Sequence, residues 1–202
     1  MLEIRCPVST ECLRKFYFQA MERRLSNADR AVLVSTMPGF LSIGEDCGCN
    51  NLQLVDCHGT NCFGHCAGEA CSTHFATGMV VINVLQQTLW QPVWSLTYQA
   101  CYGMRDLFFL KTALLKSFRL SSFVGGRGPV RFDSEDGKYR YYNLAKNGHH
   151  FSEDQPTRDH EGDDFTAFHG RERIVLCEDE SVERGWCQYQ GGLLVSKDLI
   201  DS

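Results

Sequence analysis

The chain has 202 residues, 43% of them hydrophobic and 11% aromatic, enough to bury a core as one domain and too much for a disordered segment. Its net charge is −5 and no basic surface dominates, which argues against a charge-driven grip on a nucleic-acid backbone. No apolar run approaches membrane-spanning length, and the opening MLEIRCPVSTEC lacks the apolar centre of a signal peptide, so an intracellular setting with reduced cysteines is expected.

Residues 13 to 35 read as helical at first, with Leu13, Phe16, Phe18, Met21 and Leu25 at helix-like spacing among charged neighbours. Ser26 or Asn27 marks a break before the short apolar run Ala31 to Val34. Residues 47 to 74 are rich in Gly and Asn and poor in hydrophobic periodicity, which points to a metal-organised loop. Phe75, Met79, Ile82, Leu85 and Leu89 fit one helix face that Pro92 would end. Trp94, Leu96 and Tyr98 then alternate with Ser95, Thr97 and Gln99 as in a strand. Asp106 to Leu110 is a buried strand or the start of a helix. Gly125 to Pro129 is a turn, and Asp136-Gly137 predicts a hairpin leading into a strand from Lys138 to Tyr142. Residues 145 to 164 are polar and predict an exposed loop. Arg173 to Cys177 predicts a buried strand, with Trp186, Tyr189, Leu193, Leu194 and Val195 available to a final element. No internal repeat is evident.

These elements predict an α+β fold in a single zinc-stabilised domain with a mixed helix and strand core. Its segments are a helical region 1–46, a zinc-binding segment 47–74, an apolar core 75–144, a polar loop 145–170 and a C-terminal strand and tail 171–202.

The chemistry-bearing residues gather in one window: Cys47, Cys49, Cys57, His58, Cys62, His65, Cys66, Cys71 and His74. Zinc favours tetrahedral thiolate and imidazole ligands, and short spacings such as Cys47-x-Cys49 and Cys62-x-x-His65 let one loop supply two corners. Nine candidates exceed one four-ligand site, so one or two zinc ions are expected, with some members as bystanders. His169, Cys177 and Cys187 could complete a site from a distance. A disulfide framework is the competing reading of the same cysteines. Cys6, Cys12 and Cys101 read as small core or surface residues. A cysteine nucleophile at Cys62 with a nearby histidine is a further reading. So is nucleic-acid binding, with Tyr139, Tyr141 and Tyr142 stacking bases beside Arg171 and Arg173, although these tyrosines more readily pack a hairpin.

The stretch from His65 to Leu120 resembles the adenoviral early region four 34-kilodalton protein family. The matching features are His65-Cys66, Met79-Val80-Val81, Trp94, Met104, Phe108-Phe109 and Arg119-Leu120, with Cys47-x-Cys49 upstream. Downstream, Ala167-Phe168-His169, Ile174 to Cys177 and then Cys187 follow the family's order. The tail is acidic or neutral where the family's is basic, which implies a divergent relative of the kind a bird or reptile adenovirus would carry. The resemblance implies a viral early regulatory adaptor in the host nucleus and cytoplasm, not an enzyme. Its partners would be host elongin–cullin ubiquitin-ligase components or a second viral early protein, with no membrane, while the charge balance argues against nucleic acid. Ligase recruitment would run through a box whose nearest match is Ser95, Leu96 and Cys101, with the cysteine one residue late. The other reading of that segment is a core strand.

Overall fold

The computed structural model describes residues 8–27, 40–43, 51–63, 73–103, 107–119, 130–147, 165–196 and 200. Ser9 starts the first helix as its cap: the Ser9 hydroxyl accepts the Cys12 N–H at 3.2 Å, and its carbonyl accepts the Leu13 N–H at 3.1 Å. Helix α1 then runs Thr10–Asn27. Its buried residues Leu13, Phe16, Tyr17, Ala20 and Met21 recur at three and four, and Arg24 continues that stripe. Helix α2, Leu107–Arg119, buries Leu110, Ala113, Ser117 and Phe118 in the same way. The ambiguous segment near Asp106 is therefore helix. An ion pair between Arg119 Nε and Glu22 Oε1, at 2.8 Å, ties the two helices together.

The strands are β1 (Phe40–Ile43), β2 (Leu52–Phe63), β3 (Thr73–Gln86), β4 (Leu89–Gly103), β5 (Val130–Asp133), β6 (Tyr139–Asn147), β7 (Ala167–Leu176) and β8 (Glu183–Leu193). They form one antiparallel sheet in the order β1-β2-β3-β4-β8-β7-β6-β5. The helices pack against each other and against β2 and β6. The α+β class is correct, with far more sheet than the sequence suggested.

Two readings are corrected here. The helix expected from Phe75 to Leu89 is strand β3 turning into β4 through Gln87 and Thr88. Its β-branched run, Val80, Val81, Ile82 and Val84, suits a pleated surface, and Val80, Ile82 and Val84 face the core. The metal-organised loop is likewise strand at its described residues apart from the turn at Asn51, since β2 and the start of β3 fall inside residues 47 to 74. The hairpin at Asp136-Gly137 is as expected, with Gly137 at φ +67°. Residues 28–39, 120–129 and 148–164, which hold the apolar run, the glycine turn and most of the polar loop, lie outside the described residues.

The sheet is also a repeat. Each half is one helix followed by a four-stranded antiparallel meander, and the halves meet antiparallel along β4 and β8. Tyr98 pairs with Tyr189 across this seam, Gly78 pairs with Tyr98, and Gly170 pairs with Tyr189. Four residues after each glycine the register slips: Ile82 pairs Trp94 and Asn83 pairs Pro92, while Ile174 pairs Gly185 and Val175 pairs Glu183. The extra residue, Val93 or Arg184, sits five positions before the seam tyrosine in both halves. Topology, glycine, tyrosine and bulge thus recur together, as an approximate two-fold axis through the Tyr98–Tyr189 pair requires.

The core lies on the helical side of the sheet. Trp94 stacks on Phe165 with centroids 4.5 Å apart, Tyr17 approaches Trp94 at 5.0 Å, and Phe168 closes the group at 5.7 Å from Trp94. The buried Trp94 indole is satisfied by the Phe165 carbonyl at 3.0 Å. Truncating such a ring typically costs about 3–5 kcal/mol.

Candidate functional site

Cys47, Cys49, His65, Cys66 and Cys71 lie outside the described residues, and of His58, Cys62 and His74 only the backbone is described. That backbone puts Cys62 directly opposite His74 across β2 and β3. Cys57 is exposed and opposite Met79. In the same transverse row, Thr97, Gln190 and His169 follow on β4, β8 and β7. Four strand spacings of about 4.8 Å therefore separate Cys57 from His169, roughly 19 Å. Cys177 lies just past β7, whose Ile174 is three strands from His74, about 14 Å or more. Zinc ligands sit about 2 Å from their ion, so neither distant candidate can share one with those residues. Among the described residues, no three His, Cys, Asp or Glu side chains converge to hold a metal ion.

Other thiols are settled. Cys57, Cys101, Cys177 and Cys187 are free, with Cys187 buried in the core. Cys12, expected to be an ordinary small residue, is disulfide-bonded. Its partner is therefore one of Cys6, Cys47, Cys49, Cys62, Cys66 and Cys71. This departs from the expectation of uniformly reduced cysteines. The box residues form part of the central strand β4: Leu96 is buried, and Ser95 and Cys101 are half-buried. While the sheet is folded, Leu96 is not available to a partner.

Two constellations went unrecognised in the sequence. The first is polar and buried at the seam. Tyr102 Oη donates to Glu172 Oε2 at 3.3 Å, Cys187 is opposite Glu172, and Tyr189 Oη donates to Asn143 Oδ1 at 2.5 Å. Burial pushes Glu172 up to about 7, tempered by the Tyr141 and Tyr102 hydroxyls beside it. Burial also raises Tyr102, Tyr141, Tyr189 and Cys187, so all four stay neutral near pH 7. This enclosed cluster joins the two halves: Tyr102 belongs to the first and Glu172 to the second. Its first-half counterpart holds a charged pair, Arg24 with the buried Asp56, and Arg24 also donates to the Tyr98 hydroxyl.

The second constellation lies on the face away from the helices. One straight row crosses it as Arg131, Tyr142, Arg173, Trp186, Cys101, Phe75 and Asn61. The Arg131 and Arg173 guanidiniums lie 6.0 and 5.2 Å from the Tyr142 ring centre, and Phe75 meets Trp186 edge-on at 6.5 Å. The next described positions inward, Arg171, Gln188, Gln99 and Thr77, are exposed and include no carboxylate. Beyond them Met79 is 45% exposed. Of the three tyrosines read as possible base-stackers, only Tyr142 is on this row. Tyr141 is buried in the core, and Tyr139 stacks on Phe109 at 6.1 Å. Alternation along β7 could have revealed the row, since Arg171 and Arg173 flank the buried Glu172.

No family model, curated protein or solved structure matches the chain.

Proposed function

We propose that the chain is a protein-binding adaptor that uses the outer face of its sheet, with the Tyr142, Arg173 and Trp186 row as the energetic centre. That row is the observation that carries the reading. Tyr, Trp and Arg dominate the hot spots of protein interfaces, and here they sit together, half-buried, beside the exposed Thr77, Gln99 and Gln188 and a rim of ion-paired arginines. Binding fits better than turnover, because Glu172, whose carboxyl burial lifts to about 7, is sealed in the core on the opposite side. The resemblance to the adenoviral family supports the same class and suggests elongin–cullin ligase components or a second viral early protein as partners. The buried Leu96 makes the outer face a better recruitment surface than the Ser95 to Cys101 box.

Zinc belongs to the proposal only through residues 47 to 74, where the Cys62 and His74 backbones stand opposite one another. Native mass spectrometry with and without a chelator tests it.

The adaptor reading is tested by co-purification from cells expressing the chain. Trp186→Ala and Gln99→Arg on the outer face should abolish capture of ligase subunits or the viral partner. Phe108→Ser, at an exposed position on helix α2, should leave capture intact. Capture that survives both outer-face changes in folded protein would overturn the reading.

A further inference from the structure

Three arginines around the centre of the row are already neutralised. Arg131 lies 3.7 Å from Asp133, Arg140 is paired with Asp133 at 2.6 Å and with Glu180, and Arg171 holds both Glu183 oxygens at 2.9 Å. Arg173 differs. Its Nε is buried with no hydrogen-bond partner, and no carboxylate pairs with it among the described residues. A guanidinium fork with no carboxylate partner best matches a planar anion. The side chain is nevertheless held on the outer face, with Tyr142 at 5.2 Å on one side and Trp186 opposite on β8.

We propose that Arg173 anchors a single carboxylate of a partner polypeptide, presented beside apolar residues, an inference that rests on the outer face being the binding surface. The charge balance selects this ligand. Arg173, the arginine of the row with no carboxylate partner among the described residues, matches a single anion, whereas a run of phosphates would meet Asp133, Glu180 and Glu183 on the neighbouring arginines. Apolar neighbours follow from the rings: Trp186 and Phe75 on one side and Tyr142 on the other offer flat hydrophobic contact next to the charge. A partner carboxylate would meet the terminal nitrogens of the guanidinium, because Nε is enclosed.

Panning a random peptide library on the full chain tests this, with peptides displayed once with free and once with blocked C-termini. Enrichment of an acid flanked by apolar residues in either format, with affinity falling about tenfold or more on Arg173→Gln, supports the proposal and identifies which carboxylate is read. If Arg173→Gln does not fold, Arg173→Lys keeps the charge and loses the fork, and a smaller but clear loss is expected. Peptides that lack an acid, or bind both variants alike, yet are lost on Trp186→Ala, overturn the carboxylate anchor while the binding face stands. Peptides indifferent to Trp186→Ala and Gln99→Arg overturn both. Competition by single-stranded oligothymidine, steeply weakened by salt, overturns the proposal in favour of nucleic acid.

Discussion

Tyr98 faces Tyr189 across the seam of the sheet, and each ring lies away from the other, on the bare backbone of a glycine in the next strand. A Cβ built on Gly78 would meet the end of the Tyr98 ring at 2.3 Å, and one on Gly170 would meet Tyr189 at 2.2 Å. Neither ring is free to swing aside. Arg24 donates to the Tyr98 hydroxyl, and the Tyr189 hydroxyl is spent on Asn143. Gly78→Ala and Gly170→Ala should each destabilise the fold by about 1–3 kcal/mol. The glycines are three strand spacings apart, roughly 14 Å, so the two losses should add. Urea unfolding of both single variants and the double variant checks this, and a harmless alanine at either site refutes the packing.

Glu172 predicts a specific pH dependence. Burial lifts its carboxyl from 4.5 to about 7, so the folded state holds the proton more tightly than the unfolded chain. Its contribution is fully present below about pH 4.5, declines as pH rises, and is lost once pH passes about 7. The surrounding Tyr102, Tyr141, Tyr189 and Cys187 titrate above their ordinary values, so none of them competes in that window. Urea midpoints should fall between pH 5 and 7.5, by an amount equivalent to at most about 3 kcal/mol. Glu172→Gln should flatten the curve and be the more stable form at pH 8. Parallel curves for the two proteins would show that Glu172 does not titrate there.

Why the repeat escaped sequence inspection is clear from its residues. The two halves share Gly78-x-x-x-Ile82 with Gly170-x-x-x-Ile174, and Tyr98-Gln99 with Tyr189-Gln190, but little between. Those few positions answer to the seam and the bulge. The intervening ones answer to different surroundings: Val80 is replaced by the buried Glu172, while Met79 and Val81 become Arg171 and Arg173 on the outer face. Strand β4 and the Gly137 hairpin were legible because alternation and turn chemistry are local. Strand β3 was not, since Phe75, Met79, Ile82 and Leu85 mimic a helical stripe although they belong to opposite faces of a sheet. The outer-face row joins seven strands, and its one local trace is the alternation of Arg171, Glu172 and Arg173 along β7. The rest emerges only from register.

Cys12 predicts a labelling pattern. It is disulfide-bonded, whereas Cys57 is free and exposed on β2. Alkylation of the native chain without reductant should modify Cys57 and spare Cys12. Peptide mapping after denaturation should still find Cys12 blocked until a reductant is added. The mapped partner should be one of Cys6, Cys47, Cys49, Cys62, Cys66 and Cys71, and any one of the last five would remove one candidate ligand from the proposed zinc segment. Alkylation of Cys12 in unreduced, denatured protein would refute the bond.

Asp56 and Asn143 occupy equivalent places, each two residues from the register position that faces the repeat's glycine. Both are buried, yet the solutions differ. Asn143 accepts directly from Tyr189, whereas Asp56 carries a charge that Arg24 must balance. Removing one member of such a pair strands the other in the core, which typically costs about 3–5 kcal/mol. Arg24→Met should therefore be severe on its own. Adding Asp56→Asn removes the stranded charge and gives Tyr98 the kind of partner that Tyr189 already has. The double variant should recover most of the loss, approaching the parent in urea unfolding, because a neutral buried pair avoids the desolvation that the ion pair only offsets. A double variant no more stable than Arg24→Met would mean that Arg24 acts through packing, and that Asp56 does not depend on its charge.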